Sequence, residues 1–150
     1  MSIARLALQI HWQLGREAHR LFDDVQELFT SVKRARILFA LITNGASDTQ
    51  RDKLRVLDIE HWFDTVIISG EVGIAKPDAA AFGFALTELT VEGETVWHVG
   101  DNLATDVAGA KAADITAVWL NRSRGSRQES DPEPDIEIHS LSTLLTLLPG

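Results

Sequence analysis

The strongest constraint on this chain is a change of hydrophobic period along its length. Residues 37–42 form an unbroken apolar run of strand length, closed by Thr43-Asn44-Gly45. A parallel strand covered on both faces reads this way. Shorter runs recur at 65–69, 95–99 and 115–120, and segments of helical character lie between them at 47–58, 77–89 and 102–113. Ser47 and Gln50 have the spacing of a capping box, and Pro77 stands where a first helical turn tolerates it. Strands alternating with helices at this rhythm predict right-handed βαβ units. The expected class is therefore α/β, a three-layer Rossmann-like parallel sheet with helices on both faces. Residues 121–135 read as a solvated loop, 136–138 as a short edge strand, and the segment through Leu148 as a small terminal helix. Ahead of the first long run, Ile3, Leu6, Ala7, Ile10 and Leu14 keep helical spacing, as do Val25, Leu28, Phe29 and Val32. Two opening helices that part near residues 22–24 are expected.

Composition limits what such a chain does. The 150 residues are 45% hydrophobic and 24% charged, enough for one domain with a single core. Counting 22 acidic and 14 basic residues gives a net charge of −8, which argues against nucleic acid or an anionic membrane as partner. The chain has no cysteine, so disulfides and thiolate metal sites are excluded and a reducing compartment fits. No apolar run approaches the roughly 20 residues of a membrane span, and residues 1–13 make a poor signal peptide. A cytoplasmic location is expected.

In open α/β sheets ligands bind beyond the carboxyl ends of the strands, and three such ends carry reactive residues here. Thr43, Asn44 and Gly45 offer a hydroxyl, an amide and a permissive backbone. Lys76 adds a cation just before a helix start, where N–H groups and the dipole already favour anions. Asp101 and Asp106 lie five residues apart around another helix start, oxygen ligands suited to Mg²⁺. Each has a plainer reading. Thr43 and Asn44 can serve a turn, Lys76 the surface, and Asp101 or Asn102 a helix cap, with Asp106 complementing the dipole. Asp23 and Asp24 read as a cap, and His61, Trp62, Trp97 and His98 as packing residues. Arg122, Arg124 and Arg127 read as part of the solvated loop rather than a phosphate site. Against the plain readings stands the conjunction of hydroxyl, lysine and acid pair on successive strand ends.

That conjunction resembles the haloacid dehalogenase superfamily. Leu41-Ile42-Thr43-Asn44-Gly45 is similar to its second motif, Glu71-Val72-Gly73-Ile74-Ala75-Lys76-Pro77-Asp78 to its third, and Gly100-Asp101 with Asp106 to its fourth. The likeness runs from about residue 22 to residue 122. The wording around the motifs, including Ala117-Val118-Trp119-Leu120-Asn121, is similar to the branch of capped small-molecule phosphatases, nucleotidases and 2-haloacid dehalogenases. The resemblance implies that Thr43, Asn44, Gly45 and Lys76 hold a phosphoryl group, with Thr43 and Lys76 the catalytic pair, and that Asp101 and Asp106 bind Mg²⁺. It implies a small phosphorylated metabolite as substrate, hydrolysed through an aspartyl-phosphate.

The family's first motif, Asp-x-Asp-x-Thr at the end of a central strand, supplies the nucleophile and the general acid. No Asp-x-Asp occurs in this sequence. Residues 9–14, Gln9-Ile10-His11-Trp12-Gln13-Leu14, can be forced onto it as a degenerate copy, but Gln9 is no carboxylate and the helical spacing accounts for the segment. The chain thus reads as truncated at its amino end: residues 1–22 a helical remnant of the cap, residues 23–150 a core lacking the nucleophile strand. Two strand edges would then lie open in the middle of the sheet, a costly state. Residues 1–10 as a strand, a second copy of the chain, or direct pairing of the flanking strands would close the gap. The leading expectation is a phosphatase-derived hydrolase with little activity alone. The rivals are a non-catalytic module binding anions or a protein, a fragment needing a first motif supplied separately, and a 2-haloacid dehalogenase, which uses no metal.

Overall fold

The computed structural model describes residues 5–8, 13–14, 19–20 and 23–147. The elements are β1 (Arg5–Leu8), β2 (Gln13–Leu14), β3 (His19–Arg20), α1 (Asp23–Arg34), β4 (Leu38–Thr43), α2 (Ser47–Leu57), β5 (Thr65–Ile68), α3 (Ser69–Val72) and α4 (Ala79–Leu89). After them come β6 (Val96–Gly100), a π-helical turn (Leu103–Val107) running into α5 (Ala108–Ala112), then β7 (Thr116–Leu120), β8 (Ile136–Ile138) and α6 (Leu141–Leu145). The main sheet has six strands in the order β5-β4-β1-β6-β7-β8, every neighbouring pair parallel.

Side chains alternate across this sheet, so each central strand feeds two cores. Phe39 and Leu41 of β4, Trp97 and Val99 of β6, and Val118 and Leu120 of β7 pack with α1, α2 and α6 through Leu28, Val32, Leu54 and Leu144. On the opposite face Ile42, Val96, Ala117 and Trp119 meet Phe82 and Ala85 of α4 and Ala110 of α5. The expected three layers are present. Trp62 stacks on Phe29 with ring centroids 4.2 Å apart, and Trp97 is buried, so both pack as expected. No helix among the described residues is long and apolar enough to cross a membrane.

The opening of the chain differs from the expected helix. Residues 5–8 form β1, which pairs with β4 from Arg5↔Leu38 to Leu8↔Leu41 and with β6 from Arg5↔Val96 to Leu8↔Val99. Residues 13–14 and 19–20 pair antiparallel in a separate two-stranded sheet. Short apolar stretches satisfy helix and strand periods alike, and two rows of backbone groups awaiting partners decide in favour of the strand. Of the three ways to close the gap, the structure takes the first. The boundary expected at residue 22 does not divide the sheet, since β1 is one of its central strands. Of the forced first motif at residues 9–14, residues 9–12 lie outside the described residues, as does Leu148.

Smaller expectations shift for tertiary reasons. Ser47 and Gln50 form no capping box: Ser47 Oγ donates to Glu71 Oε2 at 2.7 Å, and Gln50 turns inward toward Thr43. Pro77 precedes the helix rather than starting it, and Asp78 is the cap, its Oδ1 accepting from the Ala80 N–H at 2.9 Å. Asp24 is more than a cap. Its carboxylate accepts both terminal nitrogens of Arg122, at 2.9 and 3.0 Å, and the Leu141 N–H at 2.8 Å. That clasp ties α1 to the loop after β7 and to the start of α6, and it commits Arg122 to structure. Burial pushes the Asp24 carboxyl up, but the hydrogen bonds and charge of Arg122 and the Leu141 N–H hold it below its usual value.

A partly buried bidentate pair of this kind is costly to break from one side. Asp24→Ala is expected to lose about 2–3 kcal/mol in urea unfolding, and Arg122→Ala a similar amount. The double variant should lose clearly less than the sum of the two; additive losses would show that the clasp contributes nothing.

Candidate functional site

The carboxyl ends of β4, β5 and β6 meet at one rim, and loop-to-loop bonds lock them there. Thr43 ends β4 and is buried, its hydroxyl donating to Gln50 Oε1 at 3.3 Å. Asn44 reaches the loop after β5: its Nδ2 donates to the Lys76 carbonyl and its Oδ1 accepts the Lys76 N–H, both at 3.0 Å. The amide side chain imitates a strand neighbour, fixing the backbone of Lys76. Gly45 donates its N–H to Ser69 Oγ at 2.8 Å and accepts the Gly70 N–H at 2.9 Å. Its φ of +148° suits glycine alone, and a Cβ there would sit 2.5 Å from Gln50 Nε2.

Lys76 runs from this clamp into the interior, where its ammonium is 2.6 Å from Asp106 Oδ1, each side chain 1% exposed. The same oxygen lies 3.0 Å from His98 Nε2, and Oδ2 accepts the Asn102 N–H at 3.1 Å. Asp106 sits in the π-helical turn, and Asn102 caps that turn by accepting the Thr105 N–H at 3.0 Å. Gly100 makes room for the carboxylate, since a Cβ there would fall 2.2 Å from Asp106 Cγ. Trp119 donates from Nε1 to the Asp101 carbonyl at 3.1 Å, steadying the backbone beside the turn.

The electrostatics follow from this packing. Burial lowers the pKa of Lys76, and the charge and hydrogen bond of Asp106 pull the other way without cancelling it. Burial raises that of Asp106, but the hydrogen bond and charge of His98 and the charge of Lys76 prevail and bring it down to about 2. The carboxylate is thus ionised at neutral pH, and His98 Nε2 is the donor toward it.

Of the residues singled out by sequence, Asn44, Lys76 and Asp106 are joined directly, Gly45 is bonded to Ser69 and Gly70 beside them, and Thr43 and Asp101 close the adjoining strand ends. Asn44 spends both polar atoms of its amide on Lys76, and Asp106 spends its carboxylate on Lys76, His98 and Asn102. Among the described residues there is no group of three or more His, Asp or Glu able to hold a metal ion. Mg²⁺ is bound through only one or two protein carboxylates, with water and phosphate oxygens completing its shell, so Asp101 and Asp106 stay the residues that would hold it here. Sequence reasoning missed Gln50 and Ser69, whose sole signal was proximity to Thr43-Asn44-Gly45 and to the end of β5. It placed His98 in the core correctly, without its contact to Asp106.

Removing the charge of Asp106 strands a buried ammonium, so Asp106→Asn is expected to cost about 3 kcal/mol or more. The folded-state value of about 2 lies below the ordinary 3.8, so the unfolded chain takes up the proton first as pH falls. The carboxylate's share of stability is therefore complete above about pH 4 and is lost between there and about pH 2. Urea unfolding from pH 7 to pH 2 should show this acid loss reduced in Asp106→Asn; an identical pH dependence in the two proteins would contradict the ion pair.

Comparison with known proteins gives the geometry its kinship. The family profile of the haloacid dehalogenase-like hydrolases matches residues 6–114. Phosphoserine phosphatase of Thermus thermophilus is 41% identical over 128 residues, which cover 84% of this chain and 50% of that protein. N-acylneuraminate-9-phosphatase of Rattus norvegicus is 32% identical over 139 residues, covering 91% of this chain and 56% of the relative. The crystal structure of a HAD phosphatase from Thermococcus onnurineus superposes with a TM-score of 0.80 at 32% identity, covering 88% of this chain and 60% of that one. The chain spans about half the length of the curated relatives it matches. With the strand order, the Thr43, Lys76 and Asp106 rim and the matched segment in agreement, the chain belongs to the haloacid dehalogenase-like hydrolases.

Proposed function

We propose that this chain is the phosphoryl-holding part of a phosphatase-type hydrolase, binding small phosphate monoesters and hydrolysing them negligibly by itself. The observation that carries the reading is the buried Lys76 ammonium, fixed at both ends of its side chain where β4, β5 and β6 terminate. A cation in such a low-dielectric setting interacts with an anion far more strongly than an exposed lysine does. In this reading Lys76 faces the phosphoryl charge, while Thr43 and the backbone near Gly45 supply hydrogen bonds. Phosphoserine phosphatase and N-acylneuraminate-9-phosphatase are named for phosphorylated small molecules, which supports the substrate class.

The position of β1 supports the second half of the proposal. It lies between β4 and β6, where the family's resemblance places the nucleophile strand. The sequence continues from Leu8 into Gln9-Ile10-His11, and its first acidic residue is Glu17. A glutamine amide has no anionic oxygen with which to attack phosphorus, leaving only slow attack by water. The 2-haloacid dehalogenase alternative meets the same obstacle. A Mg²⁺ ion at this rim would be held through Asp101 and Asp106 and would neutralise charge beside the phosphoryl group.

Assay of the purified chain against a panel of phosphate monoesters with Mg²⁺ is expected to give rates at background. Placing carboxylates where the sequence leaves β1, in the double variant Gln9→Asp with His11→Asp, should raise hydrolysis by at least about a hundredfold, since a positioned nucleophile is worth several orders of magnitude. Robust turnover by the unaltered chain, lost in Lys76→Ala, would refute the claim about the nucleophile. Inorganic phosphate should also bind more tightly in millimolar Mg²⁺ than in EDTA, a difference lost in Asp101→Asn, as measured by calorimetry; equal affinity under both conditions would show that no metal shares the site.

A further inference from the structure

His98 is a buried, titratable residue that the proposed function does not use. It stands inside β6 with its side chain 0% exposed, one position from the Val99-Gly100-Asp101 strand end. Its ring lies edge-to-face against Phe82, centroids 4.8 Å apart at 88°. An aliphatic side chain would fill that place at lower desolvation cost. What the imidazole adds is an N–H aimed at Asp106 Oδ1, the oxygen that also receives Lys76.

We propose that His98 is the positioning residue for Lys76, acting through Asp106: its Nε2–H fixes the carboxylate oxygen against which the ammonium is held. The proposal rests on the reading of Lys76 as the phosphoryl-binding cation. Asn44 and Asp106 both anchor Lys76 at its rim. Asn44 grips its backbone from the loop after β4, and Asp106 grips its ammonium from the turn after β6. The carboxylate in turn depends on Asn102, which restrains Oδ2, and on His98, which restrains Oδ1. Without His98 the carboxylate pivots about Oδ2, and the four-carbon stem of Lys76 allows the ammonium to follow. His98 itself touches no substrate in this scheme.

The test uses the full chain, ¹⁵N-labelled, with the Lys76 ammonium signal assigned by its absence in Lys76→Met. In the wild type this signal should be resolved from exposed lysines and protected from solvent exchange. His98→Leu keeps the volume and removes the donor, and it should abolish that signature and weaken inorganic phosphate binding about tenfold, the loss of one charge-assisted hydrogen bond. His98→Gln, whose terminal amide N–H reaches the place of Nε2, should restore both. A His98→Leu protein with an unchanged Lys76 signal overturns the proposal, as does a His98→Gln protein no better than His98→Leu. Where His98→Leu fails to fold, His98→Asn replaces it, its amide one methylene too short to reach Asp106. Absence of phosphate binding in the wild type would remove the reading of Lys76 as a phosphoryl cation, while the Lys76 signal would still decide whether His98 positions it.

Discussion

A lysine ammonium and a carboxylate face each other at 2.6 Å in the interior of this protein, and the rim of the sheet is built around them. Two opposite charges taken out of water regain their hydration only through close geometry and further hydrogen bonds. The surrounding residues supply both. Gly100 omits the Cβ that would occupy the carboxylate's place, the π-helical turn directs Asp106 inward, and Asn102 and His98 donate to its two oxygens. Asn44 fixes the other end of the lysine. Such a charge arrangement is poor value as a source of stability, and its placement at the carboxyl ends of parallel strands is where this class of sheet binds ligands.

Much of this was legible in the sequence. The run 37–42 and its shorter echoes gave the parallel strands, because burial on both faces leaves no room for polar alternation. Thr43, Lys76 and Asp106 were legible as one rim because each closes or follows a strand. The roles of their neighbours were not. Gln50 and Ser47 matched a local capping pattern, yet Thr43 and Glu71 drew their side chains into bonds across the fold. Asp106 stands five residues from Asp101, while Lys76, the residue its carboxylate pairs with, lies thirty residues earlier. Sequence spacing records helix turns well and pairings between loops poorly.

β1 shows the same limit at larger scale. Leu6, Ala7 and Leu8 are too few to distinguish a strand from a helix, and both partners of β1 are remote in the chain. The unpaired edges of β4 and β6 made the demand for a strand visible; only the fold says which residues meet it. Its presence also separates folding from chemistry. A strand serves the sheet through backbone hydrogen bonds, whichever side chain follows it, whereas attack on phosphorus needs a carboxylate at its end. A family fold therefore does not carry the family reaction with it; the side chains at the rim decide.

Direct titration of inorganic phosphate into the purified chain and into Lys76→Met, both checked for folding by circular dichroism, tests the central claim most directly. The account predicts measurable binding by the unaltered chain and its loss in the variant. Equal binding by the two folded proteins would contradict it, because the buried lysine would then have no part in holding the anion.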